Sequence, residues 1–375
     1  MAESRRVVLF TLSVDLFMWG LICNLFGPSC LKIMDEFKID FALAGIAVTA
    51  MSIGGMFSVF IGRLADKYGA YNVSRIGLLS MGFFTVLTGF SNGYIMFFLF
   101  SFLTGISIGA FQSSFNQVIL DLYPEAKIKM LTLTQVFFGV GATIGPTITA
   151  SIISGLNDWR LAYMLFGGVL AAFMVFQFFL KSTSTSKLTL SDEREESGHF
   201  FFMLLIGIFL LFLFGTGVNS WLPTYVVKTG KTSYLESGVI LSCFWGVGTV
   251  MRGLVGKVVD KMGEKRLLVS FSLLCFISGV ISLYVSGLIP NAIIWGIAGL
   301  AFAPIYPLVI AIAYNKYRRS PGKIIGRLVA SGNIGGLAAA PLIGVINGIS
   351  DPNIATLVIP LSGLAIAIVF LRMKI

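Results

Sequence analysis

Charged residues are scarce in this 375-residue chain, since Asp, Glu, Lys and Arg together make up 12% of it while hydrophobic residues make up 56%. Histidine occurs once, as His199 in a polar stretch, and the hydrophobic segments hold no His–Asp pair, paired carboxylates or cluster of metal ligands. A membrane-embedded enzyme would need such a set. The sequence therefore predicts that the chain is not an enzyme and that it binds neither a metal nor a cofactor.

Cysteine is also rare, and its four residues (Cys23, Cys30, Cys243 and Cys275) all lie in hydrophobic segments. Their spacing matches neither a zinc site nor the framework of a small disulfide-bonded domain. The cysteines therefore give no support to a metal site or to a disulfide-stapled fold.

What the chain has instead is a series of hydrophobic runs of about 20 residues, each long enough to cross about 30 Å of hydrocarbon as a helix. A soluble protein has no core that could cover so many helices that are apolar on every side. The sequence predicts an all-α integral membrane protein with twelve transmembrane helices. Their expected ranges are 7–34, 41–61, 76–90, 94–123, 130–156, 161–180, 200–227, 235–255, 267–286, 291–314, 325–349 and 354–371.

The basic residues predict the orientation of these spans. If the connections alternate between the two faces, all but five of the 27 Lys and Arg residues fall on the face that carries both termini. Positive residues favour the cytoplasmic face, so both termini are expected to be cytoplasmic. This bias accounts for the net charge of +10 without nucleic acid as a partner. We expect a monomer in the plasma membrane whose partners are the lipid bilayer and a small-molecule substrate.

The chain divides at one long polar connection, "KSTSTSKLTLSDEREESGH" at 181–199, while most other connections are short. A Ser/Thr-rich stretch of this kind is typical of a flexible linker. We therefore expect an N-terminal six-helix bundle at 1–180, a cytoplasmic linker at 181–199 and a C-terminal six-helix bundle at 200–375.

The two halves repeat one another at a nearly constant offset. Asn24 and Asn219 are 195 residues apart, and so are Pro28 and Pro223. Two homologous bundles are the architecture of a transporter whose halves rock about a site at the membrane midplane. A receptor or a channel would not need this duplication.

A small charged motif, G-x-x-x-D-K-x-G, also occurs twice, at 62–69 and at 256–263. Glycine allows close backbone approach, and an aspartate can bind the N-terminus of a neighbouring helix. We expect these loops to latch neighbouring helices at the cytoplasmic face in one conformation. The simpler alternative, a loop that only follows the charge rule, is disfavoured by the repetition. The latch residues are Gly62, Asp66, Lys67 and Gly69 in the first copy and Gly256, Asp260, Lys261 and Gly263 in the second.

The first copy, "GRLADKYG", resembles the loop signature of the major facilitator superfamily, G-x-L-a-D-[RK]-x-G-[RK]-[RK]. The match ends where Ala70 and Tyr71 replace the basic pair. The resemblance extends over essentially the whole chain. It implies the fold of that superfamily, with twelve helices in two pseudo-symmetric bundles, and secondary transport by alternating access.

A narrower resemblance links "FMWGLICNLFGP" (17–28), "FQSSFNQVILDLYPE" (111–125), "QVFFGVGATIG" (135–145) and "GTGVNSWLPTYV" (215–226) to the fucose-permease branch of sugar–proton symporters. That branch carries acids where this chain has Asn24 and Gln112. An amide can bind a hydroxyl group but cannot carry a proton. A co-transported proton is therefore an open question, and so are the identity of the solute and the direction of transport.

Amide and aromatic residues recur inside the spans at helical spacing. Amides can bind hydroxyl groups and rings can cover C–H faces, so together they suit a neutral, sugar-like solute. The alternative is that small and amide residues hold the helices together. The candidate substrate-binding residues are Asn24, Gln112, Asn116, Gln135, Asn219, Trp221, Trp245, Tyr306 and Asn333.

Three further residues, Arg252, Ser101 and Asp15, bear on other substrates and on proton coupling. Arg252 in the eighth span suits an organic anion, as in the monocarboxylate and oxalate branches of the superfamily, unless its side chain snorkels to the interface. A drug exporter would be expected to carry Arg where this chain has Ser101. Asp15 is the one acid well inside a hydrophobic run, so it is the candidate for proton coupling, unless it pairs with an inner-face Arg or Lys.

Overall fold

The computed structural model describes residues 2–57, 68–123, 127–178, 198–229, 231–317 and 321–373, and every regular element in these ranges is a helix. In chain order the helices are α1 (Ala2–Cys23), α2 (Phe26–Phe37), α3 (Phe41–Met56), α4 (Ala70–Gly89), α5 (Tyr94–Leu122), α6 (Lys127–Leu156), α7 (Arg160–Phe178), α8 (His199–Lys228), α9 (Tyr234–Met262), α10 (Glu264–Ile281), α11 (Leu288–Phe302), α12 (Ile305–Lys316), α13 (Pro321–Ile349), α14 (Pro352–Thr356) and α15 (Val358–Arg372).

Nine helical segments within the described residues are long and apolar enough to cross a membrane. Phe41–Met56 is a shorter apolar helix. Large hydrophobic side chains are exposed along many of the helices, which is the pattern expected where the surrounding solvent is lipid. The chain is therefore a multi-pass membrane protein.

Two predicted spans are interrupted by proline. The first span breaks between α1, which ends at Cys23, and α2, which begins at Phe26. In a regular helix the N–H group of residue 28 would donate a hydrogen bond to the carbonyl of Asn24. Pro28 has no N–H group, so this hydrogen bond is missing at the break. In the same way, Pro307 cannot bond the carbonyl of Ala303, and the chain breaks there between α11 and α12.

The helices before and after residues 179–197 pack in the same pattern. In the first set, α4 packs on α5 and α7, α3 packs on α5, and α1 packs on α6. In the second set, the corresponding pairs are α10 with α11 and α15, α9 with α11, and α8 with α13. The buried apolar side chains form two clusters, one within residues 8–174 and one drawn mostly from residues 201–373. The predicted linker at 181–199 lies almost entirely outside the described residues.

Three helix pairs make most of the contact between the two described sets: α6 with α9, α3 with α13, and α2 with α8. Glycine permits the closest approaches. A Cβ atom on Gly27 would lie 2.2 Å from the carbonyl oxygen of Asn219, and one on Gly45 would lie 2.6 Å from the carbonyl oxygen of Ala340. The contacts of Gly27 and Gly45 lie at one end of the molecule, which also carries residues 38–40, 157–159 and 231–233. We call this end the sealed end.

Each set of helices is also braced at the sealed end by one charged residue. In the first set, Glu36 forms an ion pair with Arg160 and accepts a hydrogen bond of 2.6 Å from the indole of Trp159. In the second set, the Lys231 ammonium donates to the carbonyls of Ser282 and Leu283, each at 2.9 Å. Glu36 and Lys231 are 195 residues apart, so the brace occupies the repeated position with the opposite charge.

Candidate functional site

The candidate site is built around helix α9, where Trp245 and Arg252 lie two turns apart and therefore share one face. The indole nitrogen of Trp245 donates to the Oδ1 atom of Asn219 on α8 at 2.8 Å. The guanidinium carbon of Arg252 lies 5.6 Å from the centroid of the Trp245 ring, within the range of a cation–π interaction. A helical side chain leans toward the N-terminus of its helix, and here this carries the guanidinium group back toward Trp245.

The charge of Arg252 has no protein counterpart in the described parts of the chain. Its Nη1 atom is buried and makes no hydrogen bond to any described residue. No described carboxylate forms an ion pair with it either, since the salt bridge found in those ranges joins Arg160 to Glu36. A buried guanidinium nitrogen without an acceptor is unfavourable unless something else supplies the missing acceptor. The Nη1 atom of Arg252 therefore has an unused donor beside the Trp245 ring.

A chain of aromatic rings continues this site into the first set of helices. The Trp245 ring lies 5.8 Å from Phe138 on α6, and Phe138 lies 4.6 Å from Trp19 on α1. Trp19 in turn lies 5.8 Å from Phe111 on α5. Edge-to-face and tilted contacts at these distances are favourable. We call Trp19, Phe138, Asn219, Trp245 and Arg252 the central cluster.

The central cluster lies at the contact between α6 and α9, one of the main contacts between the two sets. Next to the cluster, the hydroxyl groups of Thr147 and Ser242 form a hydrogen bond of 2.7 Å across this contact. A Cβ atom on Gly139 would lie 2.2 Å from the hydroxyl of Thr249, so these helices touch closely there. The site is therefore shared between the two sets of helices.

The other predicted binding residues are spread more widely. Gln112 and Gln135 are half-buried on α5 and α6, and Asn333 is half-buried on α13. The ring of Tyr306 packs on Phe212 at 5.8 Å. Asn116 lies on α5, and its side chain is outside the part of the molecule that the structure describes. Of the nine predicted residues, the structure thus brings Asn219 and Trp245 into direct contact.

Two of the predicted binding residues, Trp221 and Asn24, form hydrogen bonds within the protein. The indole of Trp221 is buried, donates to the carbonyl of Ala340 at 3.1 Å and packs on Phe41 at 5.9 Å, so it seals α8 against α13 and α3. The Nδ2 atom of Asn24 donates to the carbonyl of Gly20 at 3.0 Å in its own helix. The Oδ1 atom of Asn24 is buried and finds no partner among the described residues.

Asp15 lies on a different face of the first set of helices from the contact between α6 and α9. It is buried, it accepts a hydrogen bond of 2.6 Å from Gln177 on α7, and the guanidinium of Arg75 on α4 attracts it. Arg75 also donates to the backbone carbonyl of Gln177. These three residues form a buried polar group between α1, α4 and α7.

The repeated charged loops are only partly described. Gly62, Asp66 and Lys67 lie outside the described residues, whereas Gly69 has a φ angle of 90° and Gly263 has one of 78°. Glycine is required at both positions because other residues rarely adopt such angles. In the second copy, Asp260 and Lys261 are exposed in the last turn of α9, and a Cβ atom on Gly256 would meet nothing within 4 Å.

The sequence did not predict the contributions of Trp19 and Phe138. Both could have been suspected from their proximity in the sequence to predicted binding residues. Trp19 is five residues before Asn24, and Phe138 is three residues after Gln135. Nor did the sequence predict a small cavity of about 70 Å³ at the break between α1 and α2. Asn219, Thr88 and Thr104 contribute to its lining.

Comparison with known proteins agrees with this architecture. Residues 8–340 match the family model described as Major Facilitator Superfamily. The protein TsgA homolog of Buchnera aphidicola is 24% identical over 327 residues, which cover 85% of this chain and 82% of that protein.

Two solved structures have a similar fold. One is a bacterial homolog of the human lysosomal transporter Spinster, in an inward-facing and occupied conformation, with a TM-score of 0.78, 15% identity and coverage of 98% of this chain and 94% of the other. The other is the nucleoside transporter NupG, with a TM-score of 0.78, 13% identity and coverage of 97% and 100%. With a family model that matches 333 of its residues, from 8 to 340, the chain belongs to the Major Facilitator Superfamily.

Proposed function

We propose that this protein is a secondary transporter that moves a small organic anion across the plasma membrane by alternating access, with Arg252 as the anion-binding group. Proteins of this superfamily are transporters rather than enzymes. The observation that carries the proposal is the guanidinium of Arg252, which packs on Trp245 with its Nη1 atom buried and without a hydrogen-bond partner in the described ranges. A carboxylate would supply two acceptors in the geometry that a guanidinium fork matches best.

The surroundings of Arg252 favour an organic anion over an inorganic one. The Trp245 ring lies beside the cation, and Phe138 and then Trp19 continue the aromatic surface away from it. An anionic group on a hydrocarbon or aromatic body could therefore place its charge at Arg252 and its body on the rings. Asn219 presents an amide at the same place, although its Oδ1 atom is already occupied by Trp245. Its Nδ2 atom can still donate to a substrate oxygen.

The same proposal includes the architecture. We propose twelve membrane crossings, in which α1 with α2, α11 with α12, and α14 with α15 each form one interrupted crossing. The bundles are 1–180 and 200–375, joined by a cytoplasmic linker at 181–199, with both termini cytoplasmic. The repeated packing pattern and the repeated brace at Glu36 and Lys231 support two bundles of common origin. Alternating access requires that such bundles rotate about a shared site, and the central cluster is shared in this way.

A neutral, hydroxyl-bearing solute is the second candidate. It is favoured by the half-buried amides of Gln112, Gln135 and Asn333, which would meet hydroxyl groups, and by the half-buried ring of Tyr306. In this case Arg252 would serve as a helix anchor, and Asp15 would be the candidate for proton coupling. The two candidates differ in whether Arg252 contributes to affinity.

Transport into proteoliposomes that contain the purified full-length protein distinguishes the two. Counterflow would be measured for a panel of carboxylates, for the amides that correspond to them and for sugars, with and without a pH gradient. We expect a carboxylate to be taken up, its amide to fail, and Arg252→Gln to lose the uptake. Uptake of a sugar that Arg252→Gln leaves unchanged would favour the second candidate and contradict the first.

A further inference from the structure

A groove of about 510 Å³ lies between the start of α8 and the first half of α13, away from the central cluster. Its walls are mostly apolar: Phe202 and Leu205 lie on α8, and Ala330 and Ile334 lie on α13, next to Ser331. Phe202 is 59% exposed and Ile334 is 47% exposed. Large apolar side chains that stay exposed on membrane-spanning helices contact lipid tails, which are as apolar as leucine. The exposure of Phe202 and Ile334 is the pattern expected of side chains that face the hydrocarbon of the bilayer.

One charged side chain lines this apolar groove. Arg327 lies three residues before Ala330 and seven before Ile334, so the three share one face of α13. Arg327 is exposed, and it forms neither a hydrogen bond nor an ion pair with any residue that the structure describes. It lies within two turns of the start of α13 at Pro321, which is the depth at which a basic side chain meets lipid headgroups.

A second feature at the same end of the groove carries positive potential. Helix α8 begins beside it, and its N-cap residue, Gly198, provides no side-chain acceptor for the first N–H groups of the helix. The N-terminus of a helix attracts anions through these free N–H groups and the helix dipole. Arg327 and the start of α8 therefore favour negative charge at one end of an otherwise apolar groove.

We propose that an anionic phospholipid of the surrounding membrane binds in this groove, with an acyl chain along Phe202, Leu205 and Ile334 and its phosphate at Arg327. Apolar walls with a cation at the interface match the two parts of such a lipid, and basic pockets between transmembrane helices are known to hold anionic headgroups. A free phosphate ion would use Arg327 but not the walls. A zwitterionic lipid carries its own cation, which offsets the attraction of the phosphate to Arg327.

The test uses the full-length protein in nanodiscs that contain either phosphatidylglycerol or phosphatidylcholine, with retained lipid measured by native mass spectrometry. We expect phosphatidylglycerol to be retained in preference, and Arg327→Gln to reduce this retention about fivefold, the effect of one basic residue at a membrane surface. Ala330→Phe, which fills the groove and keeps the charge, should also reduce retention. The matched control is Arg372→Gln, which removes the same charge from the exposed last turn of α15 and should retain the lipid like wild type.

Thermal unfolding in detergent supplies a second measurement. Added phosphatidylglycerol should raise the melting temperature of the wild type and of Arg372→Gln, and it should raise that of Arg327→Gln less. Inorganic phosphate at the same concentration should have no effect. Equal retention of the two lipids, equal retention by Arg327→Gln and wild type, or full protection by inorganic phosphate would each overturn the proposal. Because Arg327 lies outside the central cluster, none of these results bears on the substrate.

Discussion

The tightest contact of the sealed end gives a prediction about its closure. The backbone of Gly27 on α2 approaches the carbonyl of Asn219 so closely that a Cβ atom would lie 2.2 Å from the oxygen, whereas ordinary contact begins at 3.4 Å. Gly27→Ala therefore requires a separation of about 1 Å between α2 and α8, and overpacking of this kind costs about 1–3 kcal/mol. Because the clash exists only while the sealed end is closed, the equilibrium should shift about 5- to 150-fold toward an open sealed end.

The shift can be measured as a distance between spin labels on Asn92 and Ser286, which are exposed at the sealed end of the two sets of helices. The labels would be placed in a variant without native cysteines. Double electron–electron resonance should show a longer distance between the two labels in Gly27→Ala than in wild type. Gly348→Ala is the matched control, since a Cβ atom there would meet nothing within 4 Å. An unchanged distance in Gly27→Ala, at unchanged thermal stability, would refute the reasoning.

Three further predictions concern coupling, the brace and the latch. If Asp15 carries a proton, Asp15→Asn should abolish accumulation driven by a pH gradient and leave substrate exchange intact; continued accumulation would assign it a structural role. Lys231→Met should lower the free energy of unfolding by about 1–3 kcal/mol, because the carbonyls of Ser282 and Leu283 lose their donor, and a melting temperature equal to wild type would contradict the brace. Asp260→Asn should slow turnover without weakening substrate binding, and normal turnover would argue against the latch.

Much of the fold could be predicted because the patterns that specify it are visible in the sequence itself. Hydrophobic length predicts the all-helical membrane class, and the repeated positions of Asn24 and Asn219 predict a duplicated chain, with which the repeated packing pattern agrees. The break of the first span was not predicted, because a proline alone does not decide it: Pro223, the counterpart of Pro28 in the second half, lies inside the continuous helix α8. Hydrophobic length is read from consecutive residues and the repeat from one constant offset, so a single sequence is sufficient to predict both.

The site was harder to predict because it depends on where side chains point. The sequence treated Trp221 and Trp245 alike, yet Trp221 is used to pack α8 against α13, while Trp245 faces Asn219 and Arg252. The sequence also left open whether Arg252 snorkels, and its guanidinium lies over the Trp245 ring. Which of these arrangements forms is decided by neighbours that are distant in the sequence, as with Phe138 beside Trp245.

The central claim is that Arg252 is held in the protein to bind an anionic group, and one measurement addresses it directly. The affinity of the transported carboxylate would be determined by calorimetry for wild type and Arg252→Gln, together with the thermal stability of each protein without substrate. We expect Arg252→Gln to weaken binding by about 3 kcal/mol, or roughly 150-fold, because the charged hydrogen bonds are lost. Its stability without substrate should be equal or higher, because the substitution removes a charged group whose buried Nη1 atom has no hydrogen-bond partner among the described residues. Unchanged affinity together with lower stability would contradict the claim and assign Arg252 to the structure of α9.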